Sequence, residues 1–251
     1  MRIFVINLAR RPDRLAEITL DLHNHGLSFE RVEAIDARTN PIVKHFRRPL
    51  LAYLIGKRAY SDAYIANYLS HRQIWLKMVE ENIASVLVLE DDARISNFDK
   101  RFLDTNIAEL GLDVLRLGAN QEPGQEPGQE PSQLHNNTLP QNILGRSLVK
   151  GVLWGSVATI FTLSAARKFL KHQKYWFPSD HYENFENCFA IKYAIVSPLL
   201  WLEAKSPSDV ATAKNKLTIP QNHILKLTKP LRRHILLPAI QLYLRLVTAL
   251  R

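Results

Sequence analysis

Short apolar runs and helical periodicities take turns along the first two hundred residues. "RIFVINL" (residues 2–8) is apolar apart from its ends and predicts a buried first strand. In the following "RRPDRLAEITLDLHNHG", Leu15, Ile18 and Leu22 recur at helical spacing, Pro12 suits a first helical turn and Gly26 a stop. "FERVEAID" predicts a short second strand ending at Asp36. Over residues 62–81, Ile65, Leu69, Leu76 and Val79 share one face of a helix. The pattern then predicts a strand at "VLVL", a helix over 99–110, and strands at "DVLRLG" and "VATIFTL". A helix, "SAARKFLK", is N-capped by Ser164, and a late strand lies within "YAIVSPLLW". Strands alternating with helices imply an α/β fold, a mostly parallel sheet flanked by helices. In such sheets ligands bind beyond the carboxyl ends of the strands.

Three stretches fall outside this pattern. Residues 41–60 are irregular and basic. "NQEPGQEPGQEPSQ" repeats Pro and Gly every fourth residue without apolar anchors, and predicts a mobile loop over 119–141. Past about residue 210 the chain changes character, dividing a domain over 1–210 from a basic amphipathic C-terminal segment over 211–251. Between Val210 and Arg251 there is no Asp or Glu, while Lys214, Lys216, Lys226, Lys229, Arg232, Arg233, Arg245 and Arg251 contribute +8 of the chain's net +9. Leu236, Ile240, Tyr243, Leu244, Val247 and Leu250 share a helical face there. Two readings stand: a helix lying on an anionic membrane surface, or one docked on its own domain.

With 251 residues, 46% of them hydrophobic, the chain is long enough for one substantial core. A lone cysteine, Cys188, excludes an intramolecular disulfide and fits a reducing compartment. No stretch approaches the roughly 18 apolar residues of a spanning helix, and the apolar start is too short for a signal peptide. A cytoplasmic or peripheral protein is expected. The basic pI suggests nucleic acid as a partner, but the charge lies beside apolar residues rather than exposed aromatics, so no nucleic acid is expected.

The most informative stretch is "VLVLEDDARI" (residues 86–95), where a buried strand ends in Glu90, Asp91 and Asp92. Three adjacent carboxylates repel one another, so a cation or open water belongs there. A divalent cation would take one or two of them, leaving its other positions to water and phosphates. The competing reading is a solvated turn or a helix N-terminus, where "DD" meets the dipole.

"INLARRPDR", "YLSHRQIW", "VLVLEDDARI", "WGSVATIFTLSAARKFL" and "FPSDHYENF" occur in this order over roughly residues 1–200. Together they resemble glycosyltransferase family 25, the bacterial lipooligosaccharide β-galactosyltransferases and their relatives. The resemblance implies a GT-A-like fold and an inverting transfer of galactose or glucose from a UDP-hexose to a lipid-linked oligosaccharide. It further implies Mn²⁺ or Mg²⁺ and a site on the inner face of the bacterial inner membrane. It assigns the metal to Asp92 and Glu90, and nucleotide contacts to Glu90, Asp91, Asn7, Arg11, Asp13, Arg14, Asp36, Ser70 and His71. Arg14 pairs either with phosphate or with Asp13. Asp180 is the first candidate base, with His181 and Glu183 as rivals, and its competing role is to cap the helix that follows. No third metal ligand, such as a histidine, is evident near 198–210. A homologue that binds sugar without turnover is the remaining alternative.

Overall fold

A computed structural model describes residues 1–47, 61–119, 138–151, 155, 157–172, 177–203, 238–240, 242–243 and 246. The strands are β1 (Arg2–Asn7), β2 (Glu30–Glu33), β3 (Ser85–Glu90), β4 (Ala93–Ile95), β5 (Val114–Arg116) and β6 (Gly118–Ala119). They continue with β7 (Thr138–Ile143), β8 (Arg146–Val149), β9 (Ala158–Thr162), β10 (Tyr193–Ser197) and β11 (Trp201–Glu203). The helices are α1 (Pro12–Asn24), α2 (Ile42–His45), α3 (Asp62–Glu80), α4 (Leu163–Lys171) and α5 (Tyr182–Phe189).

Eight strands form one sheet in the order β2-β1-β3-β9-β5-β10-β8-β7, and β4-β11-β6 form a second, small one. In the large sheet β1, β2, β3, β5, β7 and β10 point one way, and only β8 and β9 run against them. The expected mostly parallel α/β sheet is therefore present, interrupted by two reversed strands. Alternation sends each strand's side chains to opposite faces. Phe4, Ile6, Val86 and Val88 join α3, α4 and α5 in one core, while Ile3, Val5, Leu87 and Leu89 join α1 and the small sheet in the other. Aromatic stacking ties α3 to α4, with Trp75 and Phe169 rings 4.2 Å apart.

Several local expectations are corrected. Residues 99–110 form two 3-10 turns, Lys100–Asp104 and Ile107–Leu110, because the Asn106 side chain accepts from Ala108 N and starts a new turn. The cap of α4 is Thr162, whose Oγ1 accepts from Ala165 N at 3.1 Å; Ser164 instead donates to Asp113 Oδ1 at 2.8 Å. The repeat loop is narrower than 119–141, since Ala119 belongs to β6 and β7 begins at Thr138; residues 120–137 lie outside the described residues. The hairpin β7–β8 was not foreseen. Its two-residue turn is Leu144 (φ 51°) and Gly145 (φ 77°), a left-handed pair that a leucine does not advertise.

Most of the 211–251 segment lies outside the described residues. Residues 238–240, 242–243 and 246 are helical. Ile240 packs against the first core, but Tyr243, expected on the same face, is 59% exposed. No helix among the described residues is long and apolar enough to cross a membrane.

Candidate functional site

Parallel pairing aligns the carboxyl ends of three strands: Asn7 of β1 sits opposite Glu33 of β2, and Ile6 opposite Glu90 of β3. The loops that follow these strands meet the N-terminal half of α3 around an open cleft. Its cavity volume is about 110 Å³. Its floor is the acid turn. Glu90 is the last residue of β3 and Ala93 the first of β4, so Asp91 and Asp92 hang between the two sheets.

The cation demanded by three adjacent carboxylates comes, in part, from the chain itself. Pro12 opens α1, and two residues later Arg14 turns inward, only 5% exposed. Its Nη1 donates to Asp91 Oδ1 at 3.1 Å and to Asp92 Oδ2 at 2.9 Å. Asn7 Nδ2 donates to the other Asp91 oxygen at 2.8 Å, and Asn7 is itself held by Arg31 and by Arg11 O. Burial pushes the Asp91 carboxyl above its ordinary range, against the pull of Asn7 and Arg14. At Glu90 burial also pushes up, but the His71 imidazole and Asn67 outweigh it and hold the carboxyl below its ordinary range. Asn67 Nδ2 donates to Glu90 Oε1 at 3.0 Å, and His71 Nε2 lies 3.8 Å from the same oxygen.

The other predicted residues divide. Glu90, Asp91, Asp92, Arg14, Asp36 and Ser70 line the cleft. Ser70 Oγ accepts from Ile35 N at 2.9 Å, fixing the loop after β2 against α3. Asn7 stands behind the acid turn as its support. Arg11 and Asp13 are not among the lining residues: they pair with each other at 2.7 Å, and that contact holds the exposed Asp13 carboxyl at about 2. Arg14, left open between phosphate and Asp13 in the sequence, pairs with Asp91 and Asp92. His71 does not reach the cleft either; it is fully buried between the rings of Trp75 and Phe161.

Asp180 does not cap α5. The N-cap position is His181, without a side-chain capping bond, and Asp180 Oδ2 accepts from Gly155 N at 2.9 Å. The oxygen of the same glycine accepts from Arg116, fully buried in β5, whose guanidinium stacks 5.2 Å from the Tyr182 ring. Burial pulls Arg116 below its ordinary value, and Tyr182, Asp180 and Glu183 oppose that pull. Gly155 has φ 80°, a conformation that favours glycine. Ser179 donates to Asn67 Oδ1, and Asn67 holds Glu90, so one hydrogen-bonded chain joins the Asp180 loop to the acid turn. His181 and Glu183 open α5 beside it.

Sequence reasoning missed Asn67, Arg10, Arg38 and Arg116. Asn67 precedes Ser70 and His71 by three and four residues, a same-face spacing that marks it. Arg10 and Arg38 line the cleft around Asp36, with Arg10 Nε 2.8 Å from its carboxylate. Arg116 was legible as a charge inside an apolar strand. Among the described residues no group of three His, Cys, Asp or Glu is placed to hold a metal ion by itself.

An α/β sheet with an open, carboxylate-floored cleft over its parallel strand ends defines a class of α/β proteins whose ligands bind beyond those ends. Within it, the sequence matches "Glycosyltransferase family 25 (LPS biosynthesis protein)" over residues 1–183, and the chain belongs to that family. It is 32% identical over 187 residues to "Inactive glycosyltransferase 25 family member 3" of Mus musculus, covering 68% of this chain. It is 36% identical over 122 residues, 46% of this chain and 19% of the relative, to "Glycosyltransferase 25 family member" of Aedes aegypti. The chain spans 29% of the length of the mouse relative. Among solved structures it is similar, at TM-score 0.41 and 10% identity, to "a glycosyltransferase involved in the glycosylation of the major capsid of PBCV-1", covering 82% of this chain and 93% of that one.

Proposed function

We propose that the protein is an inverting glycosyltransferase that moves galactose or glucose from a UDP-hexose to a lipooligosaccharide or lipopolysaccharide acceptor. The observation that carries this reading is the acid turn on the floor of a cleft formed at the carboxyl ends of β1, β2 and β3. The loop after β2, with Asp36 and the backbone around Ile35, would take the nucleoside end of the donor. Arg10 and Arg38 stand at the same wall.

The charge around the cleft supports a divalent cation. Arg10, Arg14 and Arg38 face Asp36, Glu90, Asp91 and Asp92, so carboxylates already outnumber guanidiniums before a diphosphate enters. Hard oxygen donors on a fixed turn suit Mn²⁺ or Mg²⁺, which need one or two carboxylates and complete their shell with phosphate and water. Asp92 and Glu90 would hold it, and when bound it would neutralise the departing diphosphate. Asp180 is the proposed base. It would take the proton of the acceptor hydroxyl as that oxygen bonds to the anomeric carbon and the bond to the diphosphate breaks on the opposite side. A single displacement inverts the configuration and needs no second carboxylate as nucleophile. Gly155 N–H holds one oxygen of Asp180 and so fixes the carboxylate's orientation.

A second reading, a sugar-nucleotide-binding homologue without turnover, is favoured by the inward Arg14, which already occupies the two aspartates. The test is UDP release from UDP-galactose, UDP-glucose and their two N-acetylhexosamine counterparts, with Mn²⁺ or EDTA, beside calorimetric donor binding. Release from one hexose donor, abolished by EDTA, is expected. Binding without release selects the second reading, and neither binding nor release refutes both.

A further inference from the structure

Asn67 joins two parts of the site that lie far apart in the chain. It stands in the first half of α3 and lines the cleft. Its amide is used at both ends: Nδ2 donates to Glu90 Oε1 at 3.0 Å, and Oδ1 accepts from Ser179 Oγ. The two partners fix which way the amide points. Turned over, it would set its oxygen against the carboxylate and could no longer donate there. His71, one turn further along α3, approaches the same Glu90 oxygen to 3.8 Å. Ser179 is 5% exposed, is not among the residues lining the cleft, and directly precedes Asp180.

The same loop is held on its other side. Asp180 Oδ2 accepts from Gly155 N, and Gly155 O accepts from Arg116 of β5. Asp180 is thus strung between two strand ends, to Glu90 of β3 through Ser179 and Asn67, and to Arg116 of β5 through Gly155. Only β9 separates those strands, so their ends lie about 10 Å apart at ordinary strand spacing. A loop tied at one point can swing about it, and ties to two strands remove that freedom. The freedom matters for an in-line transfer, where a misplacement of about 1 Å costs about 100-fold in rate.

We propose that Asn67 is a positioning residue for the transfer: through Ser179 it sets where Asp180 stands relative to a donor bound over Glu90. This rests on the transferase reading and on Asp180 as its base. Asn67 moves no proton and forms no bond to the sugar; its part is geometric. The two side chains then divide the effect. Loss of the Ser179 hydroxyl releases the base and leaves the cleft lining intact, whereas loss of the Asn67 amide releases the base and Glu90 together.

The test compares the full wild-type chain with Ser179→Ala, Asn67→Ala, the two combined, and Asp180→Asn, each assayed below its melting temperature. Turnover of the hexose donor that the wild type uses is read beside calorimetric affinity for UDP with Mn²⁺. Ser179→Ala should lower kcat about tenfold or more while UDP affinity stays within about twofold. Asn67→Ala should lower both. Adding Ser179→Ala to Asn67→Ala should cost less than about a further twofold, because the hydroxyl acts through the amide. Amide hydrogen exchange gives a reading apart from turnover: UDP with Mn²⁺ should slow exchange over residues 177–185 in the wild type and not in Ser179→Ala. A deep loss in Asp180→Asn with kcat unchanged in Ser179→Ala overturns the proposal and leaves the base in place. Additive losses in the double variant, or protection of 177–185 that survives without the hydroxyl, overturn it as well. Near-normal turnover of Asp180→Asn removes the base and this proposal together. A wild type that binds UDP without turnover, or does not bind it, removes the transfer that Asn67 would serve.

Discussion

Arg14→Met removes the guanidinium that both Asp91 and Asp92 face. All three groups are nearly withdrawn from water, with side-chain exposures of 5%, 9% and 7%. Two carboxylates would be left adjacent and buried, with Asn7 holding one of them. Removing one partner from a buried ion network costs about 3–5 kcal/mol, because the remaining charge has no counter-ion. In a chain of this size each kcal/mol moves the melting temperature by about 2–4 °C, which gives a fall of roughly 6–20 °C. Thermal unfolding followed by circular dichroism reads this directly. Arg14→Lys should recover only part of the loss, since one ammonium does not reproduce the planar fork. Adding Asp91→Asn and Asp92→Asn to Arg14→Met should recover stability, because neutral amides need no counter-ion. A fall below about 2 °C for Arg14→Met, roughly 1 kcal/mol, would refute the assignment of Arg14 as the internal counter-ion.

Other consequences can be checked separately. Asp180→Asn should lower kcat at least about 100-fold with donor affinity retained, since the amide oxygen can still accept from Gly155; near-normal turnover rules out Asp180 as the base. Gly118→Ala should destabilise by about 1–3 kcal/mol in urea unfolding, because the new Cβ would lie 2.8 Å from Trp201 Cβ and 2.9 Å from its carbonyl oxygen; an unchanged midpoint would show the two small-sheet strands to be further apart. Asp91 should titrate above, and Glu90 below, the ordinary range of its own residue type, because their carboxyls are displaced in opposite directions. Asp91 then stabilises the fold below its ordinary range and loses that contribution as pH rises through its folded value, whereas Glu90 contributes above its ordinary range and loses it as pH falls. Carboxyl ¹³C titration by NMR reads both displacements, and a shift of either carboxyl in the other direction contradicts this account.

Periodicity revealed β1, α1 and α3 because each carries its own pattern: an apolar run, a Pro-started helix, a long apolar face. It revealed the acid turn because a charge triplet ending a buried strand is visible in one line. Strand direction is not local, so β9 reads as a strand without showing that it runs against β3 and β5. The partners of Asp180 and Glu90 were hidden for the same reason. Gly155 and Asn67 reach them through the fold, and neither stands beside its partner in the chain. At α4, two hydroxyls two residues apart competed for one cap. Thr162 held the extended backbone at the strand's end, while Ser164 was drawn to Asp113.

The acid turn is two residues long and anchored at both ends, to the large sheet through β3 and to the small one through β4. Such a turn has little room to adapt. A relative built to accept a different ligand would therefore keep the turn and its Arg14 brace, and change the surfaces around it. The loop over 34–38 and the residues of α3 that face the cleft are where that diversity can accumulate without loosening the floor. Engineering of ligand preference should begin at those positions, with the carboxylates left in place.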